Sequence, residues 1–235
     1  MTGPAHIFDK PNRYIGKPEP RADAARLLQG RGSYVDDQKL PRMAHAAFVR
    51  SPHAHAKILS IDTEGARAAT GVVAVYSGED LAKHVTPYVG TLTHLAGLRS
   101  MPQHPLAVDV ARWQGEPVVM IIATSRALAE DACELVYVDY DELPVAVDSE
   151  TALDTGTPII HPELESNLAW ERDIVAGDID AAFAAPDVHV VEREFRFGRH
   201  TGVTLETRGT VCDYDPSENK LTVYWSGQAP HMMQV

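Results

Sequence analysis

Hydrophobic and polar residues alternate over several short segments in the first 145 residues, which is the pattern of half-buried β-strands. Such segments occupy residues 44–50, 56–61, 71–77 and 136–140. Residues 118–123 form a continuous apolar run with the length of a buried strand, and residues 125–135 place their apolar side chains on one helical face. This strand, helix, strand order between strand-rich flanks predicts an α/β or α+β sandwich.

The remaining elements of this region are expected to be short. Residues 21–30 fit a helix that Gly30 ends, and residues 64–69 fit one or two helical turns. Residues 83–112 have little pattern and are rich in His, Gly and Pro, so they predict a long irregular excursion.

The pattern changes near residue 149, where Pro158, Pro162 and several acidic residues indicate a connector between two domains. Beyond it, Asp178 is placed to cap a short helix whose inner face carries Ile179 and Phe183. Strands are predicted at residues 170–177, 188–197, 210–214 and 221–225, with a turn at 215–219 and the start of a helix at 229–234.

Charge is distributed unevenly along the chain. Residues 1–57 carry a net charge of +5 and the rest carry −17, which gives −12 for all 235 residues. The first quarter of the chain is therefore basic, and within it residues 1–20 contain four prolines and predict an extended arm that lies on a partner. The acidic excess disfavours nucleic acid and anionic membranes as partners. Residues 130–187 hold 16 acids without EF-hand spacing, which favours a solvated or subunit-facing surface over an ion site.

Composition supports a soluble globular protein with many turns, since 44% of the residues are hydrophobic, 23% are charged, and Gly and Pro number 16 each. Cys133 and Cys212 lie too far apart to form a C-x-x-C pair, so we expect no zinc or iron–sulfur cluster in this chain. No apolar run approaches the roughly 20 residues that span a bilayer, and residues 1–16 lack signal-peptide features. These features predict a cytoplasmic location.

Few residues stand out as candidates for chemistry. His53 and His55 would share one strand face, where a polar or interface role is favoured over a metal site because no third ligand is indicated. Glu206 is either a general base or, as its neighbour Arg208 favours, half of an ion pair. Gln228 lies where a strand turns into a helix, and its amide is able to donate to a ligand, although an ordinary turn residue is the simpler interpretation.

Three sets of motifs are informative in combination. They comprise residues 16–37 with Arg21, Asp23, Gly30 and Asp37; Arg50-Ser51-Pro52-His53-Ala54-His55-Ala56-Lys57-Ile58 followed by Ile61-Asp62; and residues 112–118 with Ala129-Glu130-Asp131-Ala132 and 138–144. The combination resembles the molybdopterin-binding large subunit of the xanthine dehydrogenase/aldehyde oxidase/carbon monoxide dehydrogenase family. The resemblance covers nearly the whole chain from about Tyr14.

The resemblance implies an α+β fold with a particular layout. It comprises an extended N-terminal arm over residues 1–20, an a/b hammerhead domain over 21–147, a connector over 148–169, and the incomplete beginning of an α/β molybdopterin-binding domain over 170–235. The glycine-rich loop and the general-base Glu of such enzymes would lie beyond residue 235. We therefore expect no catalytic residue and no metal ligand in this chain, which would be a natural split subunit or a truncated one.

One cofactor-contacting residue is implied by the same resemblance. In such enzymes a Gln at the place of Gln228 hydrogen-bonds an oxo ligand of molybdenum. The implied cofactor is molybdenum-molybdopterin in its cytosine dinucleotide form. Gly227 departs from the family pattern, since Thr or Ser is usual at that place.

The implied function is that of a molybdenum-dependent oxidoreductase, which hydroxylates a C–H carbon of an N-heterocycle or aldehyde, or oxidises CO. Electrons would pass through 2Fe-2S clusters to FAD, carried by an iron–sulfur small subunit and an FAD-binding medium subunit. Further expected partners are the remaining molybdopterin-binding segment and a small-molecule substrate, in a dimer of hetero-oligomers. The alternative is a non-catalytic hammerhead-type assembly module without a cofactor of its own.

Overall fold

The computed structural model divides the chain into two units. The larger unit is Arg42–Phe195, and the smaller unit combines Met1–Pro41 with Arg196–Val235. The structure describes residues 18, 20–90, 92 and 94–229. The predicted arm at residues 1–20 and the predicted helix at 229–234 therefore lie outside the described residues, apart from positions 18, 20 and 229.

Helices and strands are both present, which confirms the predicted α+β class. In the described residues the strands are β1 His45–Arg50, β2 Ala56–Asp62, β3 Val72–Ser77, β4 Val110–Ala111, β5 Pro117–Ala123, β6 Tyr137–Glu142, β7 Thr210–Asp215 and β8 Lys220–Trp225. The helices are α1 Ala24–Leu28, α2 Glu64–Ala68, α3 Gly78–Ala82, α4 Arg126–Cys133 and α5 Ile179–Ala184. Single 3₁₀ turns occur at Val35–Asp37 and Pro162–Leu164. No helix of this part of the chain has the length and apolar character needed to cross a membrane.

The core of the larger unit is built around β5. This strand lies between β1 and β3 in an antiparallel sheet, and its residues Val118, Val119 and Ile121 are fully buried. Helix α4 packs its small residues Ala129 and Ala132 against this sheet. The uninterrupted apolar run that identifies β5 in the sequence thus reflects a strand that has neighbours on both edges and is covered by a helix.

A second antiparallel sheet places β2 between β4 and β6. Between α3 and β4, the described residues of the stretch 83–109 contain a single isolated bridge, in which Tyr88 and Gln103 exchange two backbone hydrogen bonds of 2.8 Å. The irregular excursion predicted at residues 83–112 is confirmed for the described residues up to 109, because β4 occupies Val110–Ala111. Leu106 and Ala107, near its end, are buried.

Two predicted strands are wrong. Residues 170–177 and 188–197 have no strand structure, and several of their apolar side chains are more than three-quarters exposed, among them Ile174, Val175 and Phe197. An isolated extended segment leaves its backbone groups without partners, and none of the described strands pairs with either segment. The alternation of apolar residues alone therefore did not specify a strand here.

The helix between those segments forms with the predicted cap. The Asp178 carboxylate accepts a hydrogen bond of 2.9 Å from the Ala181 N–H. The inner face predicted for it is wrong among the described residues, because Ile179 and Phe183 are 58% and 61% exposed.

The smaller unit contains the β7–β8 hairpin, whose strands pair in register from Thr210 opposite Trp225 to Asp215 opposite Lys220. Its turn is closed by the Asp215 carboxylate, which accepts hydrogen bonds from the backbone N–H and the hydroxyl of Ser217 at 2.8 and 2.7 Å. Asn219 adopts a positive φ of 51°. Both strands and the turn confirm the sequence prediction.

Candidate functional site

Gln228 lies three residues beyond the end of β8, at a bend in the chain, and its side chain is exposed. Its amide makes no hydrogen bond to any residue in the described part of the chain. Two N–H donors of a neutral amide are therefore available to an acceptor outside these residues.

The chain before Gln228 is tied to the segment that leads into β7 through Ser226. The Ser226 hydroxyl accepts a hydrogen bond of 3.0 Å from the Gly209 N–H and donates one of 3.1 Å to the Thr207 carbonyl. The Ser226 N–H donates to the Gly209 carbonyl at 3.3 Å. These three contacts, which we call the Ser226 clamp, extend the β7–β8 pairing by one residue toward Gln228.

Gly227 lies against the indole ring of Trp225. A Cβ atom built on Gly227 would overlap Cε2, Cζ2 and Cη2 of that ring. The ring thus occupies the space that a side chain at residue 227 would need, so glycine is the residue that suits this arrangement. The position of the ring is consistent with Gly at a place where the resemblance implies Thr or Ser.

Glu206 lies near this clamp but has a structural role. Its carboxylate accepts a hydrogen bond of 3.2 Å from the Val35 N–H, in the 3₁₀ turn of the same unit. Its own carbonyl accepts a bond of 2.6 Å from the Thr204 hydroxyl. No ion pair joins Glu206 to Arg208 within the described residues. The carboxylate that the sequence offered as a base or an ion-pair partner therefore anchors two segments 171 positions apart.

His53 and His55 do not share a strand face, because they lie in the bend before β2. The His55 ring is 8% exposed and donates from Nδ1 to the Pro144 carbonyl at 2.7 Å. His53 Nδ1 lies 3.5 Å from a Glu142 carboxylate oxygen, and its ring meets the Tyr140 ring edge-on at 5.0 Å. Among the residues that the structure describes, no three His, Cys, Asp or Glu side chains are grouped to hold a metal ion. His55 thus links the bend before β2 to Pro144, and His53 contacts two residues of β6.

Sequence reasoning missed Glu116, which is only 7% exposed. Its side chain accepts a hydrogen bond of 2.5 Å from the Arg112 N–H, while its backbone carbonyl accepts one of 2.9 Å from the Ser51 N–H. Burial raises the pKa of Glu116 above its ordinary value, although the Arg112 N–H and guanidinium oppose that shift. The carboxyl group therefore holds the loop before β5 in place.

The buried Glu116 predicts a specific pH dependence. A raised pKa means that the folded protein holds this proton more tightly than the unfolded chain, so the associated stability is present below the ordinary pKa of 4.5 and is lost as the pH rises. Glu116→Gln keeps an acceptor for the Arg112 N–H but cannot ionise. We expect the unfolding free energy of this variant, relative to wild type, to increase between pH 4 and pH 7 in urea titrations. A difference that stays flat or decreases with pH would contradict this assignment.

The larger unit also contains an open cavity of about 450 Å³ between the irregular excursion and the connector. Leu98, Arg99, Gln103, His161, Leu164 and Asn167 are among its lining residues. The His161 Nδ1 atom is buried and has no partner among the described residues. Burial, reinforced by the positive charge of Arg112, lowers the pKa of His161. None of the site residues predicted from the sequence lines this cavity.

Two family models match the chain in succession. The model described as aldehyde oxidase and xanthine dehydrogenase, a/b hammerhead domain, matches residues 29–144. The model described as molybdopterin cofactor-binding domain matches residues 160–235. The order of the two models confirms the predicted fold class of a hammerhead domain followed by the first part of a molybdopterin-binding domain.

Similar proteins include large subunits of bacterial enzymes. The nicotine 6-hydroxylase large subunit of Paenarthrobacter nicotinovorans is 38% identical over 98% of this chain and 28% of its own length. The carbon monoxide dehydrogenase large chain of Afipia carboxidovorans is 36% identical over 94% of this chain and 28% of its own length. The chain thus spans a little over a quarter of these relatives.

Solved structures of similar proteins share the fold over most of this chain. The crystal structure of quinoline 2-oxidoreductase from Pseudomonas putida 86 superimposes with a TM-score of 0.81 at 37% identity, covering 93% of this chain and 27% of that one. The aldehyde oxidoreductase of Desulfovibrio gigas superimposes with a TM-score of 0.75 at 28% identity over 88% of this chain and 23% of that one.

Proposed function

The chain belongs to the xanthine dehydrogenase/aldehyde oxidase/carbon monoxide dehydrogenase family, and from this membership we propose that it forms part of the catalytic large subunit of a molybdenum hydroxylase. The observation that carries the proposal is the succession of a hammerhead match at residues 29–144 and a molybdopterin-binding match at 160–235. A module that serves assembly alone would not need a molybdopterin-binding domain.

The reaction that we propose is oxidative hydroxylation of a C–H carbon in an N-heterocycle or aldehyde, or oxidation of CO. It is supported by the names of similar proteins, which specify nicotine, carbon monoxide and quinoline. The nicotine 6-hydroxylase, the quinoline 2-oxidoreductase and the carbon monoxide dehydrogenase show comparable identity to this chain, between 36% and 38%. The proposal therefore names a class of reaction and no single substrate.

Gln228 fits the place of a cofactor-contacting residue. Its exposed amide has no partner among the described residues, it follows a strand that is held by the Ser226 clamp, and Gly227 beside it has no side chain to shield it. When bound, molybdenum-molybdopterin supplies a redox-active metal that takes two electrons from the substrate. Gln228 would donate a hydrogen bond to an oxygen ligand of this metal without giving up a proton, because an amide N–H does not ionise near neutral pH.

The electron carriers are proposed to lie on partner chains. Cys133 and Cys212 are unpaired thiols, and two cysteines are too few for these residues themselves to hold a 2Fe-2S cluster. Similar proteins are named as a large subunit and a large chain, which supports further subunits. We assign 2Fe-2S clusters to an iron–sulfur small subunit and FAD to a medium subunit, together with the remaining molybdopterin-binding segment, in a dimer of hetero-oligomers. For the cofactor we propose the cytosine dinucleotide form of molybdopterin.

For the layout of the chain we propose an N-terminal arm at residues 1–20, a hammerhead domain at 21–147, a connector at 148–169 and the molybdopterin-binding domain from residue 170. The family match that ends at residue 144 supports the boundary between the hammerhead domain and the connector. The 3₁₀ turn and the many bends between residues 149 and 169 support a connector.

Anaerobic reduction of the complete complex tests the proposed function. The complex is purified through this chain and titrated separately with nicotine, quinoline, an aldehyde and CO. We expect one class of substrate to bleach the visible absorbance of flavin and iron–sulfur clusters, and acid treatment to release CMP from the cofactor. A complex that none of the four reduces, although dithionite bleaches it, would contradict the proposed reaction. Release of another nucleotide, or of none, would contradict the cytosine form alone.

A further inference from the structure

The path from β8 to Gln228 contains a flexible step that needs an external restraint. Regular pairing of β8 ends where Trp225 lies opposite Thr210, and Gly227 follows two residues later. Glycine has more accessible backbone conformations than any other residue, so any movement of the backbone before Gly227 adds to the freedom of Gln228. That backbone must therefore be held in place if the Gln228 amide is to meet an acceptor within about 0.5 Å of the required position.

The Ser226 clamp is the restraint that the structure offers. A hydroxyl is able to accept and donate at the same time, and that of Ser226 does both, toward the Gly209 N–H at 3.0 Å and the Thr207 carbonyl at 3.1 Å. The second carbonyl within its reach, that of Gly209, lies 3.5 Å away. These contacts fix the backbone immediately before Gly227 to a neighbouring segment of the same unit.

The Trp225 ring lies beside the same step. It fills the space where a Cβ on Gly227 would stand, so residue 227 can follow the Ser226 clamp in this conformation only as glycine. The ring therefore accounts for the residue type at position 227, and the clamp accounts for the position of the backbone before it.

We propose that Ser226 is a positioning residue for Gln228, whose hydroxyl fixes the point from which the chain leads to the Gln228 amide by holding the end of β8 to residues 207–209. This inference rests on the proposed function, because it concerns the same contact to the cofactor. It adds a residue that touches neither cofactor nor substrate and acts only through its neighbour.

The test is a double-mutant cycle in the complete complex, with Ser226→Ala, Gln228→Ala and the double variant. We expect Ser226→Ala to lower kcat about 10-fold to 100-fold, in line with the cost of misplacing a group by about 1 Å, with KM changed less than about twofold. The double variant should be no slower than Gln228→Ala alone, since the clamp has nothing to position once the amide is gone. Ser226→Thr, which keeps the hydroxyl, should restore most of the lost rate.

Two readouts besides turnover distinguish positioning from loss of stability. The Mo(V) electron paramagnetic resonance signal should change in Ser226→Ala in the same direction as in Gln228→Ala, at an unchanged molybdenum content. Hydrogen exchange of the Gly209 amide should accelerate in Ser226→Ala. Ser217→Ala at the opposite end of the hairpin, where the hydroxyl donates to Asp215 at 2.7 Å, is the matched control and should alter neither the signal nor kcat.

The outcomes separate the two proposals. If Gln228→Ala slows the enzyme but Ser226→Ala does not, or if the two effects multiply in the double variant, Ser226 is not a positioning residue and the proposed function stands. If Gln228→Ala has no effect on rate or signal, the assigned cofactor contact and this inference both fail. Should Ser226→Ala not assemble, Ser226→Cys replaces it in the cycle, because a thiol keeps a similar size with weaker hydrogen bonds.

Discussion

Gly78→Ala is expected to lower the free energy of unfolding by about 3 kcal/mol or more, or to prevent folding. Gly78 is a buried residue at the start of α3, and a Cβ there would overlap the Ala107 carbonyl oxygen and approach the Ala107 carbonyl carbon to 2.7 Å and the Val108 Cα to 3.0 Å. The Ala107 backbone cannot yield easily, because its N–H donates a hydrogen bond of 2.8 Å to Pro117 in the core strand β5.

A loss of stability would be informative, since Gly→Ala within a helix normally raises the stability of the helix by up to about 1 kcal/mol. Urea unfolding followed by circular dichroism measures the change. Gly198→Ala is the matched control, because its Cβ would meet no atom within 4 Å, and we expect its effect to stay within about 0.5 kcal/mol. A Gly78→Ala protein as stable as wild type would show that the contact between α3 and the excursion is not as close as the structure has it.

Gln228→Ala is expected to reduce turnover of the complete complex about 100-fold to 1,000-fold, the usual cost of removing one donor that is aimed at developing charge. The molybdenum content should remain near that of wild type, since the amide contacts a ligand of the metal and not the metal itself. Gln228→Glu, which keeps the shape but replaces the donor by an acceptor, should be at least as slow.

Steady-state rates normalised to molybdenum check this prediction. Gln38→Ala serves as the control, because the Gln38 amide is in the same unit and donates to the Ser33 hydroxyl at 2.9 Å. Unchanged turnover in Gln228→Ala, or an equal loss in Gln38→Ala, would remove the basis for assigning a cofactor contact to Gln228.

Strands were predicted correctly from the sequence where the alternating side-chain pattern belongs to a segment that also pairs with another strand. The strands of the larger unit follow the alternation because each one has a partner that satisfies its backbone. Residues 188–197 alternate too, yet they pair with none of the described strands. Helix α3 was missed although Ser77 and Asp80 form a capping box with hydrogen bonds of 3.2 Å in both directions, so this signal was present in the sequence.

The candidate site was only partly predictable. Family motifs lead to Gln228, but they do not reveal what holds it. The Ser226 clamp and the contact of Glu206 with Val35 join residues 17 to 171 positions apart, and each depends on one hydroxyl or carboxylate whose partner is a backbone group. Any residue offers such a backbone group, so no residue-type pattern marks the partner. Burial of Glu116 likewise follows from tertiary packing around β5.

The central claim is that this chain works as part of a molybdenum-containing catalytic subunit. The most direct test is to purify the native complex through this chain, separate it by gel filtration, and measure molybdenum in each fraction by mass spectrometry. We expect molybdenum to co-elute with the chain in near-stoichiometric amount, at a size well above its own 25.7 kDa. A stable, metal-free monomer would contradict the claim and support a hammerhead-type module that has no cofactor of its own.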